Sequence, residues 1–159
     1  MINTSELRLG NIILFNGEPV KVMGIHSNSV LLDGVMRPAA NDLGVEYNPV
    51  PANEDSLQPL PLSDSLLESM KRGRMMIGDS VQHPYHLGSA TFTICSDDEG
   101  YYIGMSVSGE PAHITPSHFY YYHQLQNIYF AQYGKEFDVS EQDVKIAWRT
   151  AKAFNKICI

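Results

Sequence analysis

A chain of 159 residues and 17.8 kDa has room for one domain or two small subdomains sharing a core, and it can fold without disulfides or a structural metal. Its net charge of −7 is spread along the chain, with ten acidic against six basic residues in 1–80 and eight against five beyond, which disfavours a nucleic-acid partner. No apolar run approaches the roughly 20 residues of a membrane span, and MINTSELRLGN lacks the basic-then-apolar pattern of a secretory signal, so a cytoplasmic protein without a membrane partner is expected.

The first third reads as a β-meander. Ile12-Ile13-Leu14-Phe15 and Pro19-Val20-Lys21-Val22 flank Asn16-Gly17, a dipeptide that tolerates the positive φ of a tight hairpin turn. His26 to Ser29 then turn the chain into Val30-Leu31-Leu32, and Asp33-Gly34 is expected to reverse it toward Val35-Met36. Four short strands on tight turns predict a small antiparallel β-barrel or meander over 1–50. Four of the nine prolines fall between Asn48 and Pro61, which predicts a connector at 51–62, because proline gives no amide to a ladder.

The remainder, 63–159, is expected as an α+β subdomain packed on the first as one unit. A short helix from Asp64 to Arg72 is predicted from the capping-box spacing of Ser65 and Glu68, with Gly73 as its end and Lys71, Arg72 and Arg74 complementing the helix dipole. Met75 to His86 shows no period and is expected to be irregular. Ala90 to Cys95 and Tyr101 to Val107, rich in aromatic and β-branched residues and split by Ser96 to Gly100, should pair as a hairpin, with a short third strand at His113-Ile114-Thr115. Leu125, Ile128, Tyr129 and Gln132, widened by Tyr122 and Phe130, give a helical stripe that Gly134 can end. A second helix, Glu141 to Lys156, carries Val144, Ala147, Trp148, Ala151 and Phe154 at amphipathic spacing behind Ser140.

Chemistry-bearing residues form no recognised catalytic motif. Cys95 and Cys158 lie among apolar neighbours at no zinc-ligand spacing, as small buried hydrophobes do. Six histidines raise a metal site, for which His83, His86, His113 and His118 are the candidate ligands, but the five-residue step from His118 to His123 is not the i, i+4 spacing of a helical zinc pair. Asp97, Asp98 and Glu99 read as a solvated turn. No glycine-rich phosphate cradle or GxSxG elbow is present, so no cofactor is expected and catalytic residues are assigned to none. The densest local feature is Phe119 to Phe130, six aromatics in twelve residues, more than one small core absorbs, so some tyrosines are expected at a surface.

Glu6-Leu7-Arg8-Leu9-Gly10-Asn11, Leu60-Pro61-Leu62 and His123 to Ala131 followed by Gly134-Lys135-Glu136 occur in an order that resembles a family of short uncharacterised proteins of gut bacteria and their phages. That resemblance implies a genomic setting rather than a mechanism, and the last helix runs past the point where many members end.

Together these readings predict a non-enzymatic binding or adaptor protein with a protein partner. Its binding residues are expected among Tyr120, Tyr121, Tyr122, His123, Gln124, Gln126 and Asn127. A small metal-dependent enzyme or hydrolase using the histidines, and a nucleic-acid-binding accessory protein, are the alternatives. Oligomeric state is not encoded in any visible pattern.

Overall fold

The computed structural model describes residues 2–27, 29–38, 45–70, 75–77, 80–87, 90–107, 110–113, 115, 117–137 and 139–157. The chain is α+β and divides into two compact units that interleave in sequence, Met1–Leu60 with Tyr122–Glu141, and Pro61–Tyr121 with Gln142–Ile159.

The first unit holds an antiparallel sheet of β1 (Ile12–Phe15), β2 (Glu18–Ile25), β3 (Val30–Pro38), β4 (Val45–Ala52) and β5 (Leu57–Gln58), in the order β4-β3-β2-β1-β5. Asn16 and Gly17 take positive φ of 52° and 78°, the paired left-handed conformations that match strand twist, and they set the Phe15↔Glu18 register. The sheet has β4 and β5 as its edges, and no pairing among the described residues closes it into a barrel. Asp33-Gly34 does not reverse the chain. β3 continues through it with an irregularity between Leu32 and Val35, where three residue steps face two on β4, while Asp33 Oδ1 accepts from the Gly34 amide at 2.9 Å. A turn dipeptide absorbed into a strand as a bulge keeps its local hydrogen bond and loses only its reversal.

The proline stretch is also partly sheet. Pro49 and Pro51 lie in β4, an edge strand, where a proline is tolerated because its nitrogen faces the open side. A single 3-10 turn, Glu54–Ser56, and β5 follow. Ile13, Val22, Val30, Leu32, Ala52 and Leu57 form the sheet's core, with Ile2 and Leu7 added from the N-terminal segment. Ile12 and Leu14 are buried as well, so β1 is covered on both faces, as its uninterrupted apolar run requires. α2 (Tyr122–Tyr133) packs on β1 and ends at Gly134, whose φ of 65° and 2.8 Å bond to the Phe130 carbonyl form a left-handed cap.

The second unit holds α1 (Asp64–Ser69) and a sheet ordered β10-β9-β8-β7-β6, made of β6 (Met75–Ile77), β7 (Ser80–Leu87), β8 (Ala90–Asp97), β9 (Gly100–Val107) and β10 (Glu110–His113). Ser63, not Ser65, caps α1, its Oγ accepting from the Leu66 amide at 3.1 Å, and the helix ends at Ser69; Lys71, Arg72, Gly73 and Arg74 lie outside the described residues. The described residues of the 75–86 segment, 75–77 and 80–86, are strand rather than irregular. Pro84 hid it: that residue pairs with Thr93 on β8, and β6 reaches only to Gln82, so Pro84 has a strand on one side only. The third strand arrives at 110–113, earlier than His113 to Thr115. α3 (Glu141–Ile157) buries Val144, Ala147 and Ala151, the stripe read from its spacing; Phe154's side chain and Cys158 lie outside the described residues.

Candidate functional site

The two outer segments of the family-like pattern meet in the first unit. Gln126, 4% exposed, accepts the Ile12 amide on Oε1 at 2.8 Å and donates through Nε2 to the Gly10 carbonyl at 3.2 Å. Asn127 accepts from Asn11 Nδ2 at 2.9 Å and donates to the Glu6 carbonyl at 2.7 Å. Asn11 is fully buried. Its Oδ1 takes the Arg8 amide at 2.7 Å, folding 8–11 into a turn that Gly10 completes at φ 88°. These amides therefore satisfy the backbone of residues 6–12.

Charge closes the outer side of this clasp. Arg8 grips Glu136 with both terminal guanidinium nitrogens, Nη2 to Oε2 at 3.0 Å, and stacks 3.9 Å over the ring of Phe130, which stays at the surface instead of widening the buried stripe. The Arg8 hydrogen bonds hold the Glu136 carboxyl below the usual carboxylate range. His123, 1% exposed, stands 3.8 Å from the Glu6 carboxylate. Burial pushes its imidazole below the ordinary histidine value, and Glu6 only partly offsets this.

Beside the clasp opens a cleft of about 440 Å³, within the range of small-ligand sites. Ile12, Val22 and Phe137 are its buried lining residues, and Leu9 and Met23 are exposed ones. Lys21 lies on its β2 side; Glu136, Ser140 and Glu141 lie on the side formed by the α2–α3 link. Gln126 also lines it, but both ends of that amide are committed to backbone.

The other residues expected to bind are scattered by the fold. Tyr122 is buried, edge-on to Phe137 at 6.0 Å, and Gln124 is half-buried. In the second unit, Tyr120 is 52% exposed and Tyr121 half-buried, with their rings 6.4 Å apart. Their backbone is fixed: Phe119 exchanges two hydrogen bonds with Tyr101 of β9, and the Tyr120 carbonyl accepts from the Leu62 amide at 2.9 Å. The Tyr120 ring lies on Gly100, at φ 138°, where a Cβ would stand 2.8 Å from Tyr120 Cε1.

His118 in the same unit touches Asp97 through Nε2 at 3.1 Å and Glu99 through Nδ1 at 3.6 Å, with its ring edge-on to Tyr102. Burial works against the Asp97 carboxylate, but the His118 hydrogen bond and the Glu99 amide outweigh it and hold Asp97 below its usual range. Asp97, Asp98 and Glu99 thus serve a hairpin turn, Asp97 Oδ1 accepting the Glu99 amide at 2.9 Å. The side chains of His83, His86 and His113 lie outside the described residues; β7 and β10 are three strand steps apart, about 14 Å, so the backbone does not bring the first two beside the third. Among the described residues no group of three or more His, Cys, Asp or Glu is placed to hold a metal ion, and no helix is long and apolar enough to cross a membrane. Cys95 is buried with a free thiol, which burial pushes above its ordinary pKa.

No family model, curated protein or solved structure matches this chain.

Sequence reasoning missed Leu9, Met23 and Glu141 as candidate site residues. Leu9 gave a signal, an apolar side chain between Arg8 and Gly10 outside any strand pattern. Met23 gave none, because its exposure comes from an irregularity in β2 between Val22 and Gly24.

Proposed function

We propose that this chain is a non-enzymatic binding or adaptor protein of a bacterium or its mobile elements, and that the cleft of the first unit receives its ligand. The observation that carries the reading is the pair Leu9 and Met23, 56% and 43% exposed, both opening into one concavity floored by apolar side chains. A single exposed Leu or Met is ordinary, whereas two sharing a concave wall mark a surface built to be covered. The clasp supports the same reading: Gly10 and Gln126 are lining residues already fixed by hydrogen bonds, so the wall is set before a ligand arrives. The family-like 6–11 and 123–131 segments support the bacterial or phage setting.

A second contact surface has its own observation, the half-exposed Tyr120 ring packed on Gly100. Capture from the source cells at physiological salt distinguishes the two. The double substitution Leu9→Ser with Met23→Ser, both at exposed positions, is expected to leave the circular dichroism spectrum unchanged and to reduce recovery of a stoichiometric partner at least about tenfold, equivalent to about 1.4 kcal/mol. Undiminished recovery removes the cleft, and loss in Tyr120→Ser alone moves the site to the hairpin.

A further inference from the structure

The geometry points to a basic peptide segment with an apolar anchor as the occupant of the cleft, an inference that rests on the cleft being the binding site. Charge gives the sign. The first unit carries ten acidic side chains against four basic, −6 of the chain's −7, whereas the second carries eight against seven. Within the cleft, Glu136 and Glu141 on the α2–α3 side stand against Lys21, the one lining cation among the described residues, and the field of the whole unit has the same negative sign.

The lining gives the class. A site for a polar small molecule presents orienting polar groups inside the cavity. Here the one amide side chain in the wall, Gln126, is held in place by the wall's own backbone, its Oε1 accepting from the Ile12 amide and its Nε2 donating to the Gly10 carbonyl. What the cleft offers is Leu9, Ile12, Met23 and Phe137, with hydroxyl and carboxylate groups on one side, complementary to an apolar side chain whose neighbours are cationic. Insertion of side chains is also the mode the sheet permits. Edge strand β4 carries Pro49 and Pro51, and edge strand β5 is two residues long, so an extended peptide finds little ladder to join.

The test uses the full chain and three synthetic twelve-residue peptides that share a Leu- and Phe-containing centre, flanked by Lys and Arg, by Ser and Gly, or by Asp and Glu. Binding is read by fluorescence anisotropy at low and high salt. The basic peptide is expected to bind at least about tenfold tighter than the acidic one, with the advantage shrinking as salt screens the field. Leu9→Ser with Met23→Ser is expected to weaken basic-peptide binding more than about tenfold, and Glu141→Gln severalfold. Equal binding of basic and neutral peptides, or basic binding indifferent to the double substitution, would overturn the inference. If no peptide binds while capture from cells still depends on Leu9 and Met23, the peptide class is wrong and the binding site stands. If both fail, both readings fall.

Discussion

Each unit holds a histidine against carboxylate, and the two arrangements behave as different devices because one is buried and the other wet. His123 is enclosed at 1% exposure beside Glu6, in a clasp whose amides bind the backbone of residues 6–12, more than a hundred positions away in sequence. His118 sits on a hairpin tip between Asp97 and a Glu99 that is 80% exposed. In water a carboxylate–imidazole contact adds little, because solvent serves either partner nearly as well. In the clasp, removing one partner strands groups that water does not reach. The lesson is that the clasp around His123 secures the fold of the first unit, while the contacts of His118 in the second trim a turn.

The largest expected effect comes from breaking the buried side. Gln126→Leu keeps the volume but strands the Ile12 amide and the Gly10 carbonyl, and should lower stability to urea by about 2–3 kcal/mol. The corresponding wet-side change, Asp97→Asn, should cost under about 1 kcal/mol in the same assay. Parity between the two would erase the distinction.

Gly100→Ala probes the hairpin where packing, not charge, is at stake. Its left-handed backbone and the approach of the Tyr120 ring should together cost about 1–3 kcal/mol. Tyr120→Ala in the same chain should recover the part due to the ring, as read from a double-mutant cycle.

Acid probes the buried histidine directly. The folded state holds the His123 pKa below the 6.5 of the unfolded chain, so the unfolded state binds more protons as pH falls through that range. Stability is therefore complete above about pH 6.5 and declines below it until the folded-state pKa is passed. His123→Gln should flatten this decline in denaturation midpoints taken from pH 7 to 5.

The smallest change is expected from Glu136→Gln, which removes an exposed ion pair with Arg8. It should cost under about 1 kcal/mol, and less at high salt.

The sequence announced these regions unequally. The Asn16-Gly17 turn, the 90–107 hairpin and both long helices were legible because turn chemistry and periodicity are local. β4, β6 and β7 were not, since Pro49, Pro51 and Pro84 argue against strands until edge position and partial pairing are known, and those are facts of tertiary structure. At the candidate site, the helix segment 123–127 and the 6–11 segment each stood out, but their junction spans more than a hundred residues and no local pattern encodes it. Tyr122 was read both as part of the helical stripe and as a binding residue, because four consecutive aromatics, Phe119 to Tyr122, do not reveal where a helix begins; the start at Tyr122 turns it inward and leaves Tyr120 outside.

The borders of both sheets carry a consequence for how the protein behaves when crowded. Pro49 and Pro51 remove donors from β4, Pro111 from β10, and β5 and β6 end after two and three residues. A sheet with such margins offers no continuous template to another copy of itself. Concentrated solutions should stay free of fibrous, cross-β growth even where Leu9 and Met23 are bare, so the exposed apolar wall can persist unliganded without seeding aggregation.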